Sequence, residues 1–244
     1  MIELDKINSF YDEAHILKDL SLKVKEAEIL CLLGRNGAGK STTLKTIMGL
    51  VRARSGKISL SGKRIDQLPA HSISAQGIGY VPQGRRLFSD LTVRENLSIG
   101  LMAGVHSASE NRKTLQRVYE LFPVLQDRAK QIAGTLSGGE QQMLATARAL
   151  CVNPVAVLFD EPTEGLQPSM IQTIRDVVSG LRSEGVTIII VEQRVEAVLS
   201  IADRVAFIEN GENRGIVDIA TLRANPELLE QYVGVSGAVT EQEA

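Results

Sequence analysis

The segment Gly34-Arg35-Asn36-Gly37-Ala38-Gly39-Lys40-Ser41 constrains this chain more than any other. It fits G-x-x-x-x-G-K-[ST] at every position. It follows the unbroken apolar run Ile29-Leu30-Cys31-Leu32-Leu33 and leads into a helical stretch, Lys40 to Gly49. An apolar run of that kind suits a strand buried on both faces of a parallel sheet. The glycines let the backbone curl so that its N–H groups converge on phosphate oxygens, and the helix start adds a partial positive charge. Lys40 supplies a full charge near the β- and γ-phosphates, and the Ser41 hydroxyl suits a Mg²⁺ ligand. The expected phosphate contacts are therefore Gly34, Arg35, Asn36, Gly37, Ala38, Gly39, Lys40, Ser41 and Thr42.

A second half of such a site lies far along the chain. Val155-Ala156-Val157-Leu158-Phe159 is an apolar strand ending in Asp160-Glu161. Asp160 is placed to hold Mg²⁺ through water. Glu161 is placed to polarise an attacking water, a reaction that gains from a positioned carboxylate base at neutral pH.

Other strands are expected at Ile2–Ile7, Leu20–Val24, Lys57–Leu60, Ile78–Val81, Thr187–Val191 and, last, Val205–Ile208, before an Asn210-Gly211 turn. Between the two groups of strands the pattern turns helical. Thr92 opens a helix with Glu95 as its capping-box partner. Asn111–Leu121 repeats apolar residues at helical spacing and stops at Pro123, and Glu140–Leu150 is a further helix. Strands with crossovers around a helical block argue an α/β parallel-sheet core, 1–83 and 152–232, carrying a helical insertion at 84–151; the tail 233–244 reads as loose.

Composition narrows the partners. Lys plus Arg is 27 against 29 Asp plus Glu, a net charge of −2, so the basic excess of a nucleic-acid binder is missing. Cys31 and Cys151 sit among apolar neighbours and read as buried, reduced thiols. His15, His71 and His106 are scattered and read as surface or loop residues. No apolar run approaches the about 20 residues of a membrane span, and Met1-Ile2-Glu3-Leu4-Asp5-Lys6 does not read as a signal peptide. The expected place is the cytoplasm.

Leu136-Ser137-Gly138-Gly139-Glu140-Gln141-Gln142 lies between the two nucleotide motifs. A Ser-Gly-Gly turn opening a helix offers N–H groups and a hydroxyl to an anion, yet the first loop already cradles one nucleotide. The segment resembles the signature motif of ABC-transporter ATPase subunits. The resemblance implies a P-loop NTPase (RecA-like) core with a mostly parallel sheet, an N-terminal antiparallel β portion and an inserted α-helical subdomain. It implies ATP and Mg²⁺ as cofactors. It also implies head-to-tail pairing with a second ATPase subunit, so that Ser137, Gly138 and Gly139 meet the partner's nucleotide. From its residues alone Tyr11 is a packed surface aromatic; the resemblance makes it the ring that stacks on adenine. Gln83 matches the glutamine that touches Mg²⁺ or the attacking water.

Two positions depart from the family. Gln193, in Ile190-Val191-Glu192-Gln193, stands where a histidine usually contacts the γ-phosphate; glutamine can hydrogen-bond there but exchanges no proton near neutral pH. Gln167, in Pro162–Pro168, stands where an aspartate is usual. With Gly84–Leu97, these segments resemble the shorter ATPase subunit of branched-chain amino-acid importers, over about Tyr11 to Tyr232. A related importer for urea and short amides shares enough to stand beside it, as does another ABC transporter; a soluble ABC protein fits less well. The implied assembly is a heterodimer of ATPase subunits, or a homodimer in isolation, on the inner face of the membrane. It would include two permease subunits and, indirectly, an extracytoplasmic substrate-binding protein, with no nucleic acid. Arg85 and Arg86 fall in the loop the resemblance turns towards the permease, where solvated arginines fit equally.

Overall fold

The computed structural model describes residues 1–104, 106–193, 195–225 and 227–229. The chain opens with β1 (Ile2–Tyr11), β2 (Ala14–Val24) and β3 (Ile29–Leu33), then α1 (Lys40–Ile47), β4 (Ala53–Leu60), β5 (Lys63–Arg64), α2 (Ala70–Ala75) and β6 (Ile78–Val81). Four helices follow: α3 (Val93–Ala103), α4 (Ala108–Leu121), α5 (Pro123–Asp127) and α6 (Gly138–Leu150). The remainder alternates: β7 (Ala156–Asp160), α7 (Pro168–Ser183), β8 (Thr187–Val191), α8 (Val195–Ile201), β9 (Arg204–Glu209), β10 (Glu212–Asp218) and α9 (Ile219–Ala224).

Two sheets form. One is antiparallel, in the order β2-β1-β4-β5; the other runs β10-β9-β3-β8-β7-β6, parallel except for β10 against β9. The three central strands of the larger sheet are buried on both faces, and their side chains alternate between two cores. Cys31, Leu33, Val157, Phe159, Ile188 and Ile190 join a core with the helices α3 to α7. Leu30, Leu32, Leu158, Ile189 and Val191 join the core shared with α1 and the antiparallel sheet. The period of two in a strand produces this sorting, and it explains why these strands read as continuous apolar runs.

Helix starts are fixed locally. Thr92 with Glu95, Ser107 with Glu110 and Ser137 with Glu140 each form a complete capping box, an arrangement whose hydroxyl alone contributes about 1 kcal/mol. A buried ion pair ties Arg204 of β9 to Glu28, with Arg204 Nη2 2.8 Å from Glu28 Oε2.

The structure lengthens and adds to the sequence expectations. β1 and β2 meet in a tight turn where Asp12 has φ 50°. The strand expected to be last is followed by β10, whose residues are mostly half-buried and polar, with Gly215 inside it; an edge strand of that kind lacks the alternation that marks a strand. The expected loose tail, 233–244, and the limit at Tyr232 lie outside the described residues. Both cysteines are buried and free; burial pushes the Cys151 thiol up to about 12. His15 and His71 are exposed, whereas His106 is half-buried and its Nε2 lies 3.0 Å from the Val152 carbonyl. Among the described residues no helix is long and apolar enough to cross a membrane.

Candidate active site

The loop after β3 turns into α1 without a side-chain cap. Gly39 occupies the cap position with φ 107°, a backbone that favours glycine. Gly34 has no room for a side chain, since a Cβ there would lie 2.1 Å from the Ile208 carbonyl oxygen. The first-turn N–H groups of α1 therefore face a cleft rather than a protein acceptor. Lys40 folds back over the loop, and its Nζ donates to the carbonyls of Gly34 (2.7 Å) and Arg35 (3.0 Å). Burial holds its ammonium below the ordinary lysine value, a pull opposed by the nearby charges of Glu161 and Asp160.

The end of β7 lies beside this loop. Asp160 is 1% exposed. It accepts a hydrogen bond from the Ser41 hydroxyl (2.8 Å) and a longer one from the Tyr80 hydroxyl (3.4 Å). Burial, and the neighbouring Glu161 charge, push its carboxyl above the usual aspartate value despite those bonds. Burial, with the Asp160 charge, likewise pushes the Tyr80 phenol up. Glu161 sits in a strained left-handed turn, φ 52°, and its N–H donates to the Val191 carbonyl of β8 (3.0 Å). Its carboxylate accepts from Gln193 Nε2 (2.6 Å) and from Gln83 Nε2 (3.2 Å).

One cleft of about 540 Å³ is lined by Asn36, Gly37, Ala38, Gly39, Lys40, Ser41 and Thr42 together with Gln83, Glu161 and Gln193. Residues far apart in sequence are thus brought together. Asp160 lies beneath the cleft, behind Ser41, and Gly34 and Arg35 contribute their carbonyls to Lys40. Tyr11 does not line the cleft; it ends β1 and is 44% exposed. Ser137, Gly138 and Gly139 do not line it either. They open α6, where the Ser137 hydroxyl accepts from the Glu140 N–H (3.4 Å) and Glu140 accepts from the Ser137 N–H (2.9 Å). The Arg85 guanidinium packs over Gly138 and donates to Gln141 Oε1 (3.1 Å), so Arg85 serves the inside of the molecule. Arg86 remains exposed.

Sequence reasoning missed three residues here. Glu164 lines the cleft and accepts from Gln83 Nε2 (3.1 Å). Thr163 and Glu192 are buried at 5% and 4%, joined by a 2.7 Å bond from the Thr163 hydroxyl to Glu192 Oε1. Their signal was polar residues within four positions of the ends of buried strands, near positions already singled out.

A family model described as ABC transporter matches residues 17–164. The chain is 44% identical, over 96% of its length and 100% of the relative's, to the high-affinity branched-chain amino acid transport ATP-binding protein BraG of Pseudomonas aeruginosa. It is 40% identical, over 86% of its length and 89% of the relative's, to a probable branched-chain amino acid transport ATP-binding protein, LivF, of Archaeoglobus fulgidus. A nucleotide-free ATP-binding cassette from an ABC transporter shares its fold at a TM-score of 0.84 and 26% identity, covering 96% of this chain and 99% of that one. A dimeric cassette in a post-hydrolysis state with ADP and Pi follows at 0.80 and 27%, covering 90% and 99%. By these matches and by its own phosphate cleft, the chain belongs to the ABC transporter family, as one of its ATP-binding, ATP-hydrolysing subunits.

Proposed function

We propose that this chain hydrolyses ATP to drive an importer of branched-chain amino acids. The observation that carries the reading is the convergence of the Asn36–Thr42 loop, Glu161 and Gln193 on one cleft, with Asp160 bonded to Ser41 beneath it. Likeness to BraG along nearly the whole chain supports the cargo.

The loop N–H groups and Lys40 bind the phosphates, and Tyr11 stacks on the adenine. The oxygen donors Ser41 and Asp160, already paired at 2.8 Å, suit a hard divalent cation. These two, together with Gln83, would hold Mg²⁺. The ion would neutralise charge on the β- and γ-phosphates. Glu161 orients the attacking water and accepts its proton. Gln193 donates to the γ-phosphate and takes no part in the proton transfer, since its amide does not titrate. The signature residues Ser137, Gly138 and Gly139 meet the nucleotide of a second ATPase subunit, which the dimeric cassette supports by analogy.

The helical unit, 84–151, then passes closure on to two permease subunits at the inner face of the membrane. An apolar groove of about 480 Å³, lined by Leu50, His71, Tyr80, Phe88, Ile99 and Ala103, suits a helix of a permease subunit. The binding protein outside the membrane would choose the cargo.

The test is Glu161→Gln in the purified chain. MgATP hydrolysis should fall by about 100-fold or more, while ATP binding persists. Unchanged turnover would remove Glu161 from the mechanism. The cargo is tested in the assembled transporter. Leucine-loaded binding protein should stimulate hydrolysis, whereas stimulation by a urea- or amide-loaded one would reassign it.

A further inference from the structure

Glu192 is the most deeply buried carboxylate in the neighbourhood of the cleft after Asp160, and the mechanism above gives it nothing to do. It follows β8 directly and precedes Gln193. Burying a carboxylate is unfavourable unless hydrogen bonds replace water, and here they do. The Thr163 hydroxyl donates to Oε1 at 2.7 Å. The backbone N–H groups of Thr163 and Gln193 favour its charged form as well.

These bonds join two separate loops. Thr163 belongs to the turn after β7, two residues past Glu161. Gln193 belongs to the loop after β8, and its side chain reaches back to Glu161 Oε1 at 2.6 Å. A closed ring results: the Glu192 carboxylate, Thr163, the Glu161 turn, the Gln193 amide and the Gln193 backbone. The turn it holds is the strained one, with Glu161 at φ 52°. Such a backbone persists only where its surroundings over-determine it.

We propose that Glu192 is a positioning residue for ATP hydrolysis: its carboxylate ties the Glu161 turn to the Gln193 loop, so that the water-orienting carboxylate and the γ-phosphate contact are held as one unit. The proposal rests on the roles given to Glu161 and Gln193 above. Glu192 touches no substrate. It acts by fixing the distance between two groups that do, and sub-ångström errors there are felt in turnover rather than in binding.

The test uses the full chain with Glu192→Ala, Glu192→Gln, Thr163→Val and Thr163→Ser, and reads kcat, the Kd of a fluorescent ATP analogue, and Tm. Glu192→Ala should lower kcat by about 10- to 100-fold while Kd moves by less than about 3-fold. Glu192→Gln keeps one acceptor oxygen and should restore most of the loss, as Thr163→Ser should relative to Thr163→Val. Thr163→Val combined with Glu192→Ala should be no worse than Glu192→Ala alone, because both break the same ring. If Glu192→Ala does not fold, the Gln and Thr163 variants still decide the question. A rise in Kd with a fall in Tm and kcat per folded chain unchanged would overturn the proposal, and so would multiplicative effects of the two sites. Glu161→Gln separates the two failures. If it is inactive while the Glu192 and Thr163 variants turn over normally, only the positioning role falls. If Glu161→Gln itself turns over normally, the site reading fails and this proposal with it.

Discussion

Two helices in this molecule begin with glycine-rich turns suited to an anion, and they are prepared in opposite ways. The start of α1 carries no side-chain cap and no acid in its first turn. Its first-turn residues line the cleft, and Lys40 lies folded across the loop, bonded to the Gly34 and Arg35 carbonyls. The start of α6 is closed. Ser137 and Glu140 satisfy each other's backbone N–H groups, Arg128 sits 2.9 Å from Glu140, and Arg85 covers Gly138. A phosphate can enter at α1 by displacing water and the weak self-contacts of Lys40. At α6 it must compete with bonds the chain already makes. The difference fits the function proposed above, in which α1 binds the chain's own nucleotide and α6 meets that of a second chain.

The largest effect should come from disarming α1. Lys40→Met keeps the apolar stem but removes the charge. ATP affinity should fall by about 100-fold, as expected for losing a charge-assisted phosphate contact, and hydrolysis should become undetectable. Equilibrium binding of a fluorescent ATP analogue checks this. Affinity within a few-fold of the parent chain would mean that the backbone cradle suffices, and the contrast with α6 would lose its basis.

Next comes Ser137→Ala at α6. Binding of ATP to the single chain should stay within about 2-fold, because Ser137 does not line the cleft. Hydrolysis, which needs the pair on the function proposed above, should drop by about 10-fold or more, the worth of a hydrogen bond to a charged group. Loss of the cap should also cost about 1 kcal/mol of stability. Single-chain binding that weakens as much as turnover would place Ser137 in its own chain's site and break the comparison.

The same contrast explains what the sequence revealed. The α1 loop is legible because its chemistry is local: eight consecutive residues, a strand before and a helix after. Asp160 and Glu161 are legible because a buried strand ends in two acids, and α6 because its motif is contiguous. The bonds that unite the site are not local. Gln193 reaches Glu161, Gln83 reaches both Glu161 and Glu164, and Ser41 reaches Asp160, and all of these depend on the strand order β3-β8-β7-β6. Parallel neighbours place loop beside loop at one end of the sheet, and that order is written in no single segment. Glu192 escaped for the same reason, since its partner Thr163 belongs to a different loop.

The smallest effect has opposite signs at the two helices. At α6, hydrogen bonds from Ser137, helped by Arg128, hold the Glu140 carboxyl below its ordinary value of 4.5. A depressed carboxylate adds stability above that value and loses it as pH falls through the folded value. Beside α1, at the end of β7, the Asp160 carboxyl that accepts from Ser41 is held above its ordinary value of 3.8, chiefly by burial. A raised carboxylate subtracts stability at neutral pH, and the penalty disappears below 3.8, where both states are protonated. In magnesium-free and nucleotide-free buffer at pH 7, Asp160→Asn should therefore raise Tm. Glu140→Gln should lower it, by about 2–4 °C if the capping box is worth about 1 kcal/mol. Both differences should shrink as the pH is brought towards 4, which differential scanning calorimetry across pH 4 to 7 would show. Equal signs for the two variants would mean that α1 holds its acid as comfortably as α6 does, and the phosphate cleft would then be an ordinary capped helix start rather than one left open for a ligand.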